Sequence, residues 1–197
     1  MDWFFAEAKA WLQKAEIANA FGLVLYTDRH SNLAKVLNDD LHWRGFHDRT
    51  GPRWPVFALR RPLADGVAAP AGRSLSIMVD VKKEPNEIVE YYERLGLGST
   101  EHPYLAVFSI TDADEALFHT VRLSDDSVPE ALASLRAALD AATLAIDDVR
   151  PGNIKSAEGV HAAADLALTD LRHRQLLTKA MPLLKLLGKL FGAHPAA

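Results

Sequence analysis

The stretch FGLVLYTDRHSNLAKVL, residues 21–37, decides the fold of this chain. Its first five residues are continuously apolar and β-prone, which is typical of a central strand that is covered on both faces. A polar turn follows, and then apolar side chains recur at helical spacing, with Asp28 or Ser31 available as the N-cap. The stretch therefore predicts a buried strand, a short turn and a helix. The predicted apolar stripe of that helix consists of Leu33, Val36, Leu37 and Leu41.

The chain contains no cysteine. This absence excludes disulfides, thiolate nucleophiles, iron–sulfur clusters and cysteine-ligated zinc, and it fits a reducing compartment. Any redox activity would need a bound cofactor, and no motif in the chain predicts one. We therefore expect a protein without a cofactor.

The elements that surround this stretch alternate between helix and strand. Upstream, Trp3, Phe4 and Trp11 recur at helical spacing and predict an amphipathic helix. The mixed order predicts one α/β sheet with helices on both faces. Downstream, the predicted elements are a strand at 54–60 that begins near Pro55, a loop at 62–73, a strand at 74–81, a helix from Pro85 to Gly96 or Gly98, a hairpin at 103–123 and a helix from Val128 to Ile146.

Two stretches carry a resemblance to a known fold: residues 21–37 and HPYLAVFSITDADEALFHTVRL, residues 102–123. Residues 21–37 are similar to the strand, turn and helix that hold the Cys-x-x-Cys pair of thioredoxins. Residues 102–123 are similar to the cis-proline strand of thioredoxins and the hairpin after it. Over residues 1–146 the chain therefore resembles the thioredoxin-like superfamily, as a divergent member without cysteine. By this resemblance, Pro103 takes the cis-proline position and the strand at 54–60 is an insertion.

The resemblance implies a binding groove at one end of the sheet. In this fold the helix start favours an anion or another hydrogen-bond acceptor. The strand edge before the proline pairs with extended peptides or glutathione in family members. The alternative is that Asp28 and Ser31 only cap the helix while His30 is solvated. The expected ligand-binding residues are Tyr26, Asp28, His30, Ser31, His102 and Pro103.

A cluster of acidic residues and histidines, DDLHWRGFHD, occupies positions 39–48. The cluster raises the possibility of a metal centre. However, His42 and His47 are five residues apart, which separates them by about 140° on a straight helix. We prefer a charged helix end with Trp43 and Phe46 packed inward, and we predict no metal site.

Other polar residues favour structural roles over catalysis. His119 alternates with apolar residues of its strand, which predicts a partly buried, hydrogen-bonded histidine. A serine-histidine-acid triad could be assembled from Ser31, His102 and Asp28, but no Gly-x-Ser-x-Gly turn accompanies it. Glycine-rich phosphate-binding motifs are also missing from the sequence. These patterns predict binding rather than covalent chemistry.

The pattern changes near residue 147, where DDVRPGN interrupts the helical spacing. The predicted division is a thioredoxin-like domain at 1–146, a linker at 147–156 and an amphipathic helical extension at 157–192.

Within the extension, residues 176–191 form a broad apolar arc of about 180° on a helical wheel, opposite Lys185 and Lys189. This arc could pack on its own domain or on a second copy, dock into the groove of a partner, or lie in a membrane interface. The expected partner or membrane residues are Leu176, Leu177, Ala180, Met181, Leu183, Leu184, Leu187, Leu190 and Phe191.

The formal net charge is −4, which argues against nucleic acid as a partner. The first residues lack the pattern of a secretory signal, and no uncharged apolar stretch reaches the roughly 18–20 residues of a membrane span. We therefore expect a cytoplasmic protein, with peripheral membrane contact through the tail as an alternative.

The function that we predict is non-redox binding or adaptation. The chain would recognise a peptide or protein through the thioredoxin-like groove and would use the tail for dimerisation or docking. One alternative is a glutathione-transferase-like enzyme, in which Ser31 stabilises a thiolate and Pro103 anchors the peptide backbone. The other alternative is a protein that acts at the membrane surface through its C-terminal helix.

Overall fold

The apolar run after residue 19 forms an internal strand of a four-stranded sheet. The computed structural model describes residues 20–50, 54–58, 85–111, 115–149 and 158–174. The elements are β1 (Ala20–Leu25), α1 (Ser31–Asn38), α2 (Asp40–Thr50), β2 (Val56–Ala58), α3 (Pro85–Arg94), β3 (Tyr104–Ile110), β4 (Ala116–Arg122), α4 (Val128–Val149) and a helix α5 that includes residues 158–174.

The strands lie in the order β2-β1-β3-β4. Strands β1 and β2 are parallel, whereas β3 is antiparallel to both β1 and β4. Every residue of β1 is buried, and this explains why its sequence is continuously apolar. The prediction of a mixed α/β sheet is confirmed for the described part of the chain.

One face of the sheet is covered by α1, α2, α4 and α5. Its largest buried side chain is Trp54, whose Nε1 donates to the hydroxyl of Thr143 at 2.9 Å. The indole lies directly over Gly22 of β1, and a Cβ atom at that glycine would come within 2.6 Å of the ring. A glycine is therefore needed in the middle of this strand because the indole approaches the backbone so closely.

The opposite face is covered by α3 and is rich in aromatic residues. Phe21 of β1 and Phe108 of β3 stack with ring centroids 4.9 Å apart, and Phe57 of β2 meets Phe21 edge-on. Helix α3 begins at Pro85, and the chain leaves it through Gly96 and Gly98, both with positive φ. The predictions of helices on both faces and of this helix end are confirmed.

Two of the predicted elements differ in detail. The helix that begins at Ser31 ends at Asn38, and Asp39 starts a second helix by accepting hydrogen bonds from the backbone N–H groups of Leu41 and His42. Because the chain changes direction there, Leu41 is 77% exposed and does not extend the apolar stripe. The strand predicted as an insertion pairs with β1 as β2, with Pro55 just before it.

Helix α5 packs on the same core as the sheet, through Val160, Ala164 and Leu168. The predicted helix at Val128 is confirmed and continues to Val149. Several predictions fall outside the described residues: the N-terminal helix, the loop at 62–73, the strand at 74–81, most of the linker and the apolar arc at 176–191.

Candidate functional site

Two segments that are distant in sequence meet at one end of the sheet. Leu25 at the end of β1 pairs with Tyr104 at the start of β3, and this pairing places the turn after β1 beside Pro103. The hydroxyl of Tyr92 lies 2.9 Å from the carbonyl oxygen of His102 and 3.2 Å from that of Leu25, so one donor links both segments. Burial raises the pKa of Tyr92, which keeps this hydroxyl protonated.

The turn itself is closed by a histidine. The backbone N–H of His30 donates to the carbonyl of Thr27 at 2.9 Å, and the backbone N–H of Thr27 donates to Nδ1 of His30, also at 2.9 Å. His30 is also the N-cap residue of α1 and is only 2% exposed. Because a backbone N–H can only donate, Nδ1 is the acceptor and the neutral ring carries its proton on Nε2.

Burial lowers the pKa of His30, because the protonated ring would lose its hydration. The charge of Arg29, and that of His102 when its ring is protonated, act in the same direction. The backbone of Glu101 and the charge of Asp125 favour the protonated ring and oppose the shift, but they are the smaller effects. The imidazole of His30 is therefore neutral at neutral pH.

The N-terminus of α1 is capped by a residue from a distant part of the chain. The carboxylate of Asp125, in the loop after β4, accepts the backbone N–H of Leu33 at 2.6 Å, and its backbone carbonyl accepts from the side chain of Asn32. The predicted cap by Asp28 or Ser31 is wrong, because the helix begins with His30 at the N-cap and Asp125 reaches its first turn. The anion that the helix start favours is thus supplied internally.

The six predicted binding residues divide into a buried base and an outer surface. Tyr26, His30 and Pro103 are buried, so the alternative of a solvated His30 is wrong. In contrast, Asp28 and Ser31 are exposed and His102 is partly exposed.

Pro103 is preceded by a trans peptide bond, so the cis-proline that the resemblance to thioredoxins implies at this position is wrong. Its carbonyl accepts the backbone N–H of Leu123 at 2.8 Å, and it has no N–H of its own. Pro103 therefore has no N–H to donate to a bound peptide, and its carbonyl is already paired with Leu123.

The other chemical candidates have structural roles. Among the residues with described placement, no group of three or more His, Asp or Glu side chains is arranged to hold a metal ion. In the 39–48 cluster, Phe46 is buried and Trp43 packs against the core, as we expect. His119 is partly buried and pairs with Asp165 of α5, which agrees with its predicted structural role.

Sequence reasoning did not identify the residues that hold the site together. Asp125 lies 92 residues from the amide that it caps, and Tyr92 lies on a helix of the opposite sheet face. Neither residue stands in a local motif that indicates its distant partner. Thr27 is nearer, three residues before His30, but the pairing of its amide with the ring depends on how the turn folds.

None of the described helices is long and apolar enough to cross a lipid bilayer. The apolar arc of the tail, from Leu176 to Phe191, lies outside the described residues. The chain matches no protein-family model, no curated protein and no solved structure in the comparisons that we made.

Proposed function

We propose that this protein is a non-redox binding or adaptor protein of thioredoxin-like fold, which recognises an extended peptide or protein segment at the end of its sheet. The observation that carries the proposal is the meeting of the turn after β1 with the start of β3, where Leu25 pairs with Tyr104. Two segments that converge in this way form a continuous surface on which a peptide can lie.

The sheet supports the thioredoxin-like part of the proposal. The final antiparallel hairpin of β3 and β4 supports it, because the resemblance implies a hairpin there, whereas β2, which pairs parallel with β1, is the strand that the resemblance treats as an insertion. Helices α1 and α4 on one face and α3 on the other agree with it as well. The trans bond before Pro103 is a departure, and for this reason the recognition that we propose does not use the main chain of that proline.

The binding surface consists of Asp28, Ser31 and His102, which offer a carboxylate, a hydroxyl and an imidazole to a ligand. The residues beneath them are fixed by the Thr27–His30 hydrogen bonds and by the hydroxyl of Tyr92. A rigid base lowers the entropy that is lost on binding, so a modest number of polar contacts can suffice for specific recognition.

For the C-terminal extension we propose a second contact, with a second copy of the chain as the first candidate occupant. Its apolar arc has a width that suits burial against another surface. A groove on another protein and a membrane surface are the alternative occupants. A tail-deleted protein that ends at residue 174 distinguishes them: loss of a dimer in light scattering supports the first, and loss of vesicle co-sedimentation supports the last.

Selection of peptide ligands tests the sheet-end surface directly. Full-length protein is immobilised and panned against a library of random 12-residue peptides, and the affinity of the selected peptides is measured by fluorescence polarisation. Ser31→Tyr fills the surface with a bulky side chain, and His102→Ala removes the imidazole. We expect each to weaken binding at least about tenfold, which corresponds to about 1.4 kcal/mol.

Matched controls lie on α5, whose residues are not part of the proposed surface. Ala162→Tyr adds the same bulk at an exposed position, and His173→Ala removes an exposed imidazole. Both should leave the affinity unchanged. The proposal is rejected if no peptide is selected, or if selected peptides lose affinity equally with the controls. Retention on glutathione-agarose that disappears in Ser31→Ala would instead favour the transferase alternative.

A further inference from the structure

The His30 ring differs from the other described histidines because it is almost fully buried and closes a backbone turn. Its Nδ1 accepts the Thr27 amide, while its Nε2 is buried near the backbone of Glu101 and makes no hydrogen bond of normal geometry within the described part of the chain. Nδ1 is therefore engaged in the turn, whereas Nε2 interacts only weakly with the backbone of Glu101.

A second proton on this ring would disrupt the turn. The imidazolium carries a proton on both nitrogens, so Nδ1 would change from acceptor to donor and would face the N–H of Thr27, which is also a donor. The same charge would lie at the N-cap of α1, where the positive end of the helix dipole disfavours a cation. The donor–donor contact with Thr27 and the unfavourable charge at the helix start both follow from where the ring lies.

The charged groups around His30 come from three segments. Asp28 and Arg29 lie on its own turn, Glu101 and His102 precede β3, and Asp125 follows β4. The carboxylate of Asp125 is the one whose charge favours the protonated ring, but it is already engaged with the N–H of Leu33. Arg29 and His102 oppose a positive charge on the ring, so the described neighbours compensate for it only in part.

We infer that the Thr27–His30 turn is an acid-sensitive latch: it is closed while the His30 ring is neutral, and it opens when the ring takes up a proton. The inference concerns the turn and holds whether or not the surface above it binds a peptide. If it does bind one, acidification would disturb the backbone beneath Asp28 and Ser31.

The direction of the pH effect follows from the two states of the turn. In the open turn the ring is hydrated and has a pKa near its ordinary value of 6.5, and burial lowers this pKa in the closed turn. The open state therefore binds more protons between these two values. Closure is fully favoured above pH 6.5 and weakens as the pH falls, until the ring is protonated in both states.

Hydrogen exchange measured by NMR on the full chain tests the latch. The protection factor of the Thr27 amide is followed from pH 7.5 to pH 4.5, with the intrinsic exchange rate at each pH divided out. We expect protection to fall about tenfold per pH unit below 6.5, within the window where only the open turn is protonated. Protection that stays constant over this range would overturn the inference.

Two variants identify the group responsible. In His30→Asn the amide oxygen can still accept from Thr27 and asparagine is a favoured N-cap, but no group titrates, so the protection factor should become independent of pH. His102→Asn removes the neighbouring histidine and should keep the fall. A fall that persists in His30→Asn would overturn the assignment.

The His30→Asn variant could also fail to fold, which circular dichroism would reveal. In that case the ring resonances of the eight histidines in the wild-type protein decide the question. A buried ring whose resonance titrates below pH 6.5, together with the loss of Thr27 protection, supports the latch. If every histidine ring titrates at 6.5 or above, the inference is wrong.

Discussion

The starts of α1 and α4 are capped by different means. At α4, Ser127 accepts the backbone N–H of Glu130 at 3.3 Å and contacts the carboxylate of that same glutamate, so the cap lies within four consecutive residues. At α1, the N-cap residue contributes no side-chain cap, and the carboxylate of Asp125 arrives from 92 residues away. One start is local and exposed, whereas the other depends on the tertiary fold.

This difference has a consequence for what each helix start can do. The cap of α4 forms whenever its first turn forms, so it stabilises a helix without linking it to another element. The cap of α1 requires β4 and its following loop to be in place, so it ties the turn that carries His30 to the edge strand β4. A site built on α1 is therefore held by the whole domain.

The largest effect is expected for Asp125→Ala. It removes a charged acceptor from the Leu33 N–H and should lower the free energy of unfolding by about 1–2 kcal/mol. Urea denaturation followed by circular dichroism measures this change. The control is Asp125→Asn, whose amide oxygen can still accept and should recover part of the loss. The remote cap is contradicted if Asp125→Ala has the stability of the wild-type protein.

A smaller effect is expected for Ser127→Ala at the start of α4. Its cap bonds are long and exposed, so the loss should be about 0.5–1 kcal/mol, toward the lower part of the range for N-cap serines. The same urea experiment applies. Asp125 and Ser127 stand two residues apart in the loop between β4 and α4, so the double variant Asp125→Ala with Ser127→Ala measures whether the two caps are coupled, and additive losses would mean that they act independently. Strong non-additivity would mean that the two caps are coupled and that the start of α4 is not purely local.

The smallest effect is expected for Ser31→Ala. Ser31 is the first exposed residue of α1 and is not its N-cap, so its replacement should change the free energy of unfolding by less than about 0.5 kcal/mol. Thermal unfolding next to the Ser127→Ala protein gives a direct ranking of the two serines. If Ser31→Ala were the more destabilising of the pair, the helix would depend on a local cap after all.

Short-range patterns predicted most of the architecture. The continuous apolar run of β1, the hairpin of β3 and β4, and the helix from Pro85 to the glycines after it each follow from residues that are close together in the sequence. The sequence also predicted that the turn after β1 meets Pro103, from the assumption that both lie at the same end of the sheet. The cap of α1 and the burial of His30 did not follow, because their partners Asp125 and Glu101 lie in loops that only the folded chain brings near.

The break at Asp39 shows a similar limit. Leu41 continues the apolar spacing of α1, yet α1 ends where the backbone of Asp39 becomes extended, and the carboxylate of Asp39 starts the next helix. The spacing of apolar residues indicates which side chains can share a helix face, but it does not indicate where the backbone changes direction. The position of β2 in the sheet is another example, since its pairing with β1 depends on contacts across more than thirty residues.

By itself, then, the sequence determined which of the described segments are strands and which are helical, the apolar core on both sheet faces, and the absence of thiol chemistry. These properties depend on side-chain type and on spacing within one element. Only the tertiary structure decided which acceptor caps α1, which nitrogen of His30 carries the proton, and that Trp54 needs a glycine opposite it. These three properties depend on groups that are brought within a few ångströms of one another by the fold, and no local sequence pattern indicates such contacts.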